Sequence, residues 1–320
     1  MDMRHNKIAR HTAIMAMAAV LLSMALTACG GGGNGGGGGG GATSESTSGA
    51  DFQAPSSVSS TSFDEADAIS QNDASIDISS VNEGIVMAHA KSASRLKLLV
   101  TNGDMSYNYD VPGDGKPITA PINMGNGAYT FAIMRNTGGS NYVEIASTTA
   151  DVKLSSEYIP FTKPNVYCNY SDSSACVAKA RELTADAKNV GDAVKDVCTY
   201  IVDNVDYDTD KAAKLKEVTG YVPNPDETFS TNKGICFDYA SLGAAMLRSL
   251  GIPAKIVTGY VSPNDLYHAW LMVYIDGSWT SAQFSVNPQS WSRVDLTFAA
   301  DSNNGSYVGD GVSYTDRYVY

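Results

Sequence analysis

Histidine is scarce in this sequence, which has four in 320 residues. Two of them, His5 and His11, lie in the first 28 residues, and His89 stands alone in the run Ile85-Val86-Met87-Ala88-His89-Ala90, where it reads as a structural strand residue. Neither CxxC nor HxxxH occurs, so the clustered ligands of a tetrahedral metal site are missing and no metal is expected. Cations are few as well, with 22 Lys and Arg against 34 Asp and Glu. No Lys/Arg cluster follows the opening segment, so the counterion release that drives nucleic-acid binding has nothing to act through, and nucleic acid is excluded as a partner. The long glycine tract is low complexity rather than a phosphate-binding loop, and no cofactor is implied.

Long apolar runs are also missing, apart from Thr12 to Ala25, which follows Arg4, Lys7 and Arg10 and is short for a membrane span. It reads as a targeting segment. The run ends in Leu26-Thr27-Ala28-Cys29, which resembles the bacterial lipobox, whose cysteine is acylated after cleavage just before it. The resemblance implies a signal peptide over 1–28, a mature chain starting at a lipidated Cys29, and an extracytoplasmic protein held at a membrane by lipid. Taking away Arg4, Lys7, Arg10 and Asp2 leaves 19 basic and 33 acidic side chains, a formal net of −14. Such a surface attaches through lipid rather than through charge.

Residues 30–41 are glycine except for Asn34, and the chain stays rich in Ser, Asp and Thr to Ser80. We expect a flexible tether over 29–80, with a reach on the order of 40 Å. From Val81 the pattern changes to short alternating runs such as Arg95-Leu96-Lys97-Leu98 and Tyr129-Thr130-Phe131-Ala132-Ile133. Turn residues separate them at Asn102-Gly103-Asp104, Gly113-Asp114-Gly115, Gly125-Asn126-Gly127 and Gly138-Gly139, which predicts a small all-β sandwich over 81–157.

After Pro160 the period becomes helical. Val190, Val194, Val197, Ile201 and Val205 form a stripe, and Cys198 beside it reads as buried filler rather than a reactive thiol. Export permits disulfides, and Cys168 and Cys176, which bracket a short polar stretch, are the candidate pair. Cys236 opens a different segment. The stretch Cys236 to Ser249 is dominated by Ala, Leu and Met, then Gly251 and Pro253 stop it, which predicts one complete helix with the cysteine in its first turn. Free backbone N–H groups and the positive end of the helix dipole favour a thiolate there. A base is still needed, and His268, at the start of the alternating run Tyr267 to Ile275 before Asp276-Gly277, is the one histidine left to supply it.

The segments NKGICFDYASLGAAMLRSLGIPAKIVTGY and YHAWLMVYIDGSW resemble the core of the bacterial transglutaminase-like superfamily, over roughly Tyr207 to Asp295. The resemblance implies an α+β fold over 158–320, a papain-like core in which the cysteine helix packs on an antiparallel sheet. It further implies a Cys-His-Asp triad in which Cys236 and His268 map directly. The family's acid usually falls four residues after the tryptophan that follows the hairpin, and here Trp279 plus four is Gln283. The same W-x-x-x-D spacing recurs at Trp291 to Asp295, so the acid is assigned to Asp295, with Asp276 and Asp301 as lesser candidates.

The implied chemistry is acyl transfer on a carboxamide of a protein or peptide, with Cys236 as nucleophile, His268 as proton carrier and Asp295 fixing the tautomer. The Cys236 N–H would support the oxyanion, with the Tyr207 hydroxyl as a candidate second donor. Asp238, Tyr239 and Trp270 also fit the family pattern and are read as structural. A cysteine peptidase on the same core and a surface binding module with a relict triad remain as alternative functions.

Overall fold

The computed structural model describes residues 50–216, 218–261, 266–275, 291–294, 296–297 and 314–320. Its first half is built from alternating strands: β1 (Ile69–Gln71), β2 (Ala74–Asp77), β3 (Ile85–Ala90), β4 (Leu96–Asn102), β5 (Met105–Val111), β6 (Ile118–Pro121), β7 (Gly127–Gly138) and β8 (Asn141–Val152). Two four-stranded antiparallel sheets result, in the orders β1-β2-β3-β6 and β5-β4-β7-β8. In β4 every second residue, Leu96, Leu98 and Val100, is buried. These side chains share one core with Ile76, Val86 and Ala88 of the other sheet, which makes the pair a sandwich as the alternation predicts. The four glycine-bearing turns fall between β4 and β5, β5 and β6, β6 and β7, and β7 and β8.

The folded part begins earlier than the expected boundary at Val81. Strands β1 and β2 lie inside the stretch read as tether, joined by Asn72 and Asp73, both left-handed at φ 48° and 61°. That two-residue turn is the primed hairpin type, which asparagine and aspartate tolerate without glycine. Upstream of it the chain is also held. Asp51 bridges to Asn189, Phe52 N–H donates to Lys188 O at 3.0 Å, and Val58 N–H donates to Asp172 at 3.0 Å. The Ser- and Asp-rich composition hides these ties because few buried apolar groups, chiefly Val58, Ala74 and Ile76, carry the packing.

The second half contains α1 (Ala175–Leu183), α2 (Val190–Asn204), β9 (Asp206–Tyr207), α3 (Thr209–Leu215), α4 (Pro225–Thr231), β10 (Lys233–Gly234), α5 (Cys236–Ser249), β11 (Ala254–Val261), β12 (Leu266–Tyr274), β13 (Trp291–Val294) and β14 (Tyr314–Val319). The last four strands form an antiparallel sheet in the order β13-β12-β11-β14. Helix α5 packs on β11 and β12 and is itself covered by α1, α2 and α4. Its body is buried from Asp238 to Ser249. The valine stripe of α2 reaches the same core through Val194, Val197 and Ile201, and Asn189 caps that helix by accepting the Asp192 N–H at 2.9 Å.

Gly243 lets α5 pack closely against the sheet. A Cβ there would stand 2.5 Å from Leu271 Cδ1 and 2.8 Å from Leu296 Cδ1. Gly243→Val is therefore expected to overpack this seam and lower stability by about 1–3 kcal/mol, read as a lower denaturant midpoint at unchanged slope.

Two further devices fix the layers. Arg248, 2 % exposed, donates to Ala254 O at 2.8 Å, Lys163 O at 2.9 Å and Tyr320 O at 2.8 Å, tying α5 to three other segments. A tyrosine seam joins β5 to the C-terminal strand, with Tyr107 at 5.6 Å from Tyr318 and 5.9 Å from Tyr320, and Tyr109 at 5.9 Å from Tyr167. The two Tyr107 pairs are edge-to-face, a geometry that adds to the area the rings bury.

Candidate active site

The local sequence sets where α5 begins. Asn224 caps α4 and Pro225 starts it, and Asn232 ends it in the left-handed region at φ 52°. Two residues of extended chain follow, Lys233 and Gly234, paired in parallel with Asp206 and Tyr207. Ile235 is extended, and its N–H is taken by Asp238 Oδ2 at 2.8 Å, three residues into the helix. Cys236 is thus the first helical residue, where the N–H groups of the opening turn have no intrahelical partner and the dipole favours an anion.

Exposure separates this thiol from the others. Cys236 is partly exposed, whereas Cys168, Cys176 and Cys198 are buried. Burial pushes the Cys168 thiol up to about 11 and the Cys198 thiol up to about 12. Cys176 is raised by burial and then by the Asp226 carboxylate beside it. All three therefore stay protonated and unreactive at neutral pH.

The expected Cys168–Cys176 disulfide is not formed, and both thiols are free. Each has a different partner: the Cys168 thiol lies 3.7 Å from Ser241 O, and Cys176, in the first turn of α1, sits against Asp226. Nearness in sequence did not translate into pairing because the polar stretch between them folds into a serine turn, where Ser171 and Ser174 bond each other, that leads into the helix.

Asp238 is fully buried and receives three donors. Besides the Ile235 N–H, the Lys211 ammonium lies 2.8 Å from Oδ2 and the Tyr221 hydroxyl donates to Oδ1. The ammonium also stands 4.9 Å above the Tyr221 ring. Burial and the hydrogen bond to Asp238 raise the Tyr221 phenol, so it remains a donor. Helix α3 buries none of its own residues, and Lys211 ties it to the start of α5. Neither Lys211 nor Tyr221 stood out in the sequence, since a pairing across 27 and 17 residues leaves no periodic signal. Asp238 itself was read as structural, which its capping of the Ile235 N–H bears out. Tyr239, also read as structural, is buried and donates to Val205 O.

Tyr207 flanks the thiol. The parallel pairing sets it opposite Gly234, two residues before Cys236. Its phenol is raised by burial, then by the charges of Cys236 and Asp238.

His268 is the third residue of β12 and is 4 % exposed. Two anchor points relate it to Cys236. The last turn of α5 is fixed to Ala254, whose strand partner is Val273, and Gly243 packs on Leu271. From Arg248 back to Cys236 the helix descends about 18 Å, and from Val273 back to His268 the strand descends about 17 Å. From the second anchor the two descents are each about 10 Å. Cys236 and His268 accordingly reach the same end of the helix-on-sheet layer. Ala269, Leu271 and Val273 face the α5 core, while His268 shares the alternate set with Trp270, their rings 6.3 Å apart. Trp270 is buried, as its structural reading expects. Strand β13 pairs with β12 and ends at Val294, opposite Leu271. Asp295, Asp276, Asp301 and Cys29 lie outside the described residues.

Residues 177–295 match the transglutaminase-like superfamily. Among individual proteins, the chain is similar to the UPF0252 protein MJ1282 of Methanocaldococcus jannaschii, 29 % identical over 149 residues, covering 44 % of this chain and 40 % of that one. It is also similar to YebA of Bacillus subtilis, 30 % identical over 137 residues, covering 36 % of this chain and 18 % of that one. The chain thus spans less than half the length of these curated relatives. A crystal structure from Cytophaga hutchinsonii overlaps 72 % of both chains at 21 % identity with a TM-score of 0.39. The helix opening on Cys236 and strands β11 to β13 beside it all fall within residues 177–295, the stretch that matches the transglutaminase-like superfamily.

Proposed function

We propose that this protein carries out thiol-dependent acyl transfer on protein or peptide carboxamides, on the extracytoplasmic side of a membrane to which Cys29 tethers it by lipid. The observation that carries the chemistry is the position of Cys236, a partly exposed thiol at the first residue of a helix in a chain whose other described thiols are buried. The transglutaminase-like match supports thiol chemistry in general.

In this reading the Cys236 sulfur forms a bond to the carboxamide carbon, and the negative charge that moves onto oxygen is met by the Cys236 N–H and the Tyr207 hydroxyl. His268 takes the thiol proton and passes it to the departing nitrogen as the carbon–nitrogen bond breaks, leaving a thioester and a free amine or ammonia. An amine or water then attacks the thioester and restores the thiol. Asp295 holds the imidazole in the tautomer this requires. His268 shares its face of β12 with Trp270 while the α5 core lies against the other face, so in this reading thiol and imidazole meet past the end of the strand rather than across the sheet.

Reaction with iodoacetamide at neutral pH tests the arrangement. Cys236 is expected to be the labelled residue, and His268→Ala to slow its labelling by about tenfold or more, since an imidazole that holds the proton raises the thiolate fraction. An unreactive Cys236 in folded protein would remove the enzyme reading and favour a binding module. Turnover on a glutamine peptide with a labelled amine, beside release of ammonia in its absence, then separates transfer from hydrolysis. Tyr207→Phe is expected to lower kcat by about 10²-fold with little change in KM, as loss of an oxyanion donor does.

A further inference from the structure

The stretch between α3 and α4 touches both halves of the molecule. Among the described residues, 219–223 make no backbone–backbone hydrogen bond, so contacts at their sides set their course. Gly220 meets the sandwich directly. It is left-handed at φ 80°, and the space where a side chain would stand is taken by a carboxylate oxygen of Asp110 on β5. That carboxylate is held from its own sheet, with Arg95 Nε at 3.4 Å and Lys97 Nζ at 3.6 Å. Glycine is thus required at 220 twice over, by the backbone angle and by the close approach.

The next residue serves the other half. Tyr221 donates its hydroxyl to Asp238 Oδ1, and its ring stands 6.5 Å from that of Phe237 in an edge-to-face pair. Asp238 in turn takes the Ile235 N–H at 2.8 Å, so Tyr221 bears on both neighbours of Cys236, on Ile235 through the cap and on Phe237 through its ring. Phe237 has a second line to the same strand. Its ring lies 5.4 Å from Tyr167, and Tyr167 lies 5.9 Å from Tyr109, which is fully buried on β5 one residue before Asp110. Two adjacent residues of the sandwich therefore lead, by separate contacts, to the residues that flank the thiol.

We propose that strand β5 of the sandwich positions the nucleophile: Asp110, seated on Gly220, fixes the loop whose Tyr221 holds the first turn of α5, and Cys236 with it. Asp110, Gly220 and Tyr221 are positioning residues, acting through α5 rather than on a substrate. The proposal gives the sandwich a task in the acyl-transfer reading and rests on that reading for its catalytic consequence, while the tie from β5 to the helix start is a matter of packing.

The test exchanges atoms across the contact. Asp110→Ala removes the carboxylate, Gly220→Ala sets a methyl group against it, and the double variant puts that methyl group into the space the carboxylate has left. Gly125→Ala is the control, because Gly125 is left-handed at φ 75° with nothing within 4 Å of an added Cβ, and so carries the backbone strain without the clash. Amide exchange at Ile235, read in the full chain by mass spectrometry with residue-level fragmentation, is expected to quicken about fivefold or more in each single variant and to return to within about twofold of the unaltered chain in the double variant. Iodoacetamide labelling of Cys236 should slow in the same order. The midpoint of its pH profile should move upward in the single variants, because a loosened first turn offers the thiolate fewer aligned N–H groups. Gly125→Ala should change neither readout. Exchange at Ile235 that keeps the unaltered rate in both single variants, equal quickening in Gly125→Ala, or losses that add in the double variant overturn the tie. A reactive Cys236 whose pH midpoint stays put in both single variants overturns the positioning of the thiol. An inert Cys236 in the unaltered chain, with exchange responding as expected, overturns the acyl-transfer reading and leaves the tie standing.

Discussion

Above pH 9 the folded protein is expected to lose stability steeply, and to unfold by about pH 11 at room temperature. The groups responsible are the three buried thiols and the buried tyrosines. Cys168 and Cys198 are raised from 9.0 to about 11 and about 12, Cys176 is raised as well, and Tyr109 and Tyr170 stand well above 10.0. Each folded-state value lies above its unfolded value, so the unfolded chain releases these protons first as pH rises. Stability from these groups is complete below pH 9 and falls by about 1.4 kcal/mol per pH unit for each group whose unfolded form has titrated. Three thiols alone would remove about 3 kcal/mol between pH 9 and 10, against a total of about 5–15 kcal/mol for a domain. The tyrosines join above pH 10, within a window that for Tyr167 closes near 12. Urea midpoints measured at pH 7, 9, 10 and 10.5 check this directly. A flat profile to pH 10.5 would mean the thiols are not buried as described.

Lys211→Met is expected to be the most damaging single change outside the apolar core. It would leave the fully buried Asp238 carboxylate without its ammonium while keeping the apolar stem of the side chain. Removing one partner from a buried pair costs about 3–5 kcal/mol, mostly as the penalty of an uncompensated charge. Asp238→Asn in the same chain should return most of that loss, because the amide is neutral and keeps an oxygen for the Ile235 N–H, while its NH2 takes the place of Oδ1 and can donate to the Tyr221 hydroxyl oxygen. Thermal melts of the two single variants and the double variant give the coupling. Additive losses would show that Lys211 and Asp238 act independently. Because α3 has no buried residue to hold it, the Lys211 variant should also become more sensitive to proteolysis between Thr209 and Leu215 at temperatures where the core remains intact.

What was legible in the sequence and what was not follow from the range of the interactions involved. The sandwich turns were readable because glycine marks each of them locally, and the α5 boundaries because Gly251, at φ 77°, and Pro253 stop the helix after an Ala- and Leu-rich body. The β1–β2 hairpin was missed because Asn72-Asp73 sits in a polar stretch with few apolar neighbours. The disulfide expectation failed at Cys168 and Cys176 because a spacing in sequence carries no information about competing partners such as Ser241 and Asp226. Of the residues expected to form a triad, Cys236 and His268 were readable from local patterns, and α5 and β12 carry them to one end of the layer, while Asp295 lies outside the described residues. Lys211 and Tyr221 act through contacts that only the folded chain creates.

The early ties at Asp51, Val58 and Ser59 change how the sandwich relates to the rest of the chain. Asp51 meets Asn189, Val58 meets Asp172, and the Ser59 hydroxyl takes Lys163 at 2.7 Å. The polypeptide thus visits the helical body first, leaves to build eight strands, and comes back, so the sandwich is spliced into its neighbour rather than appended ahead of it. A protein cut to begin at residue 158 would strip a strap from that body, whereas an internal excision of 61–157 with a short bridge would leave it fastened.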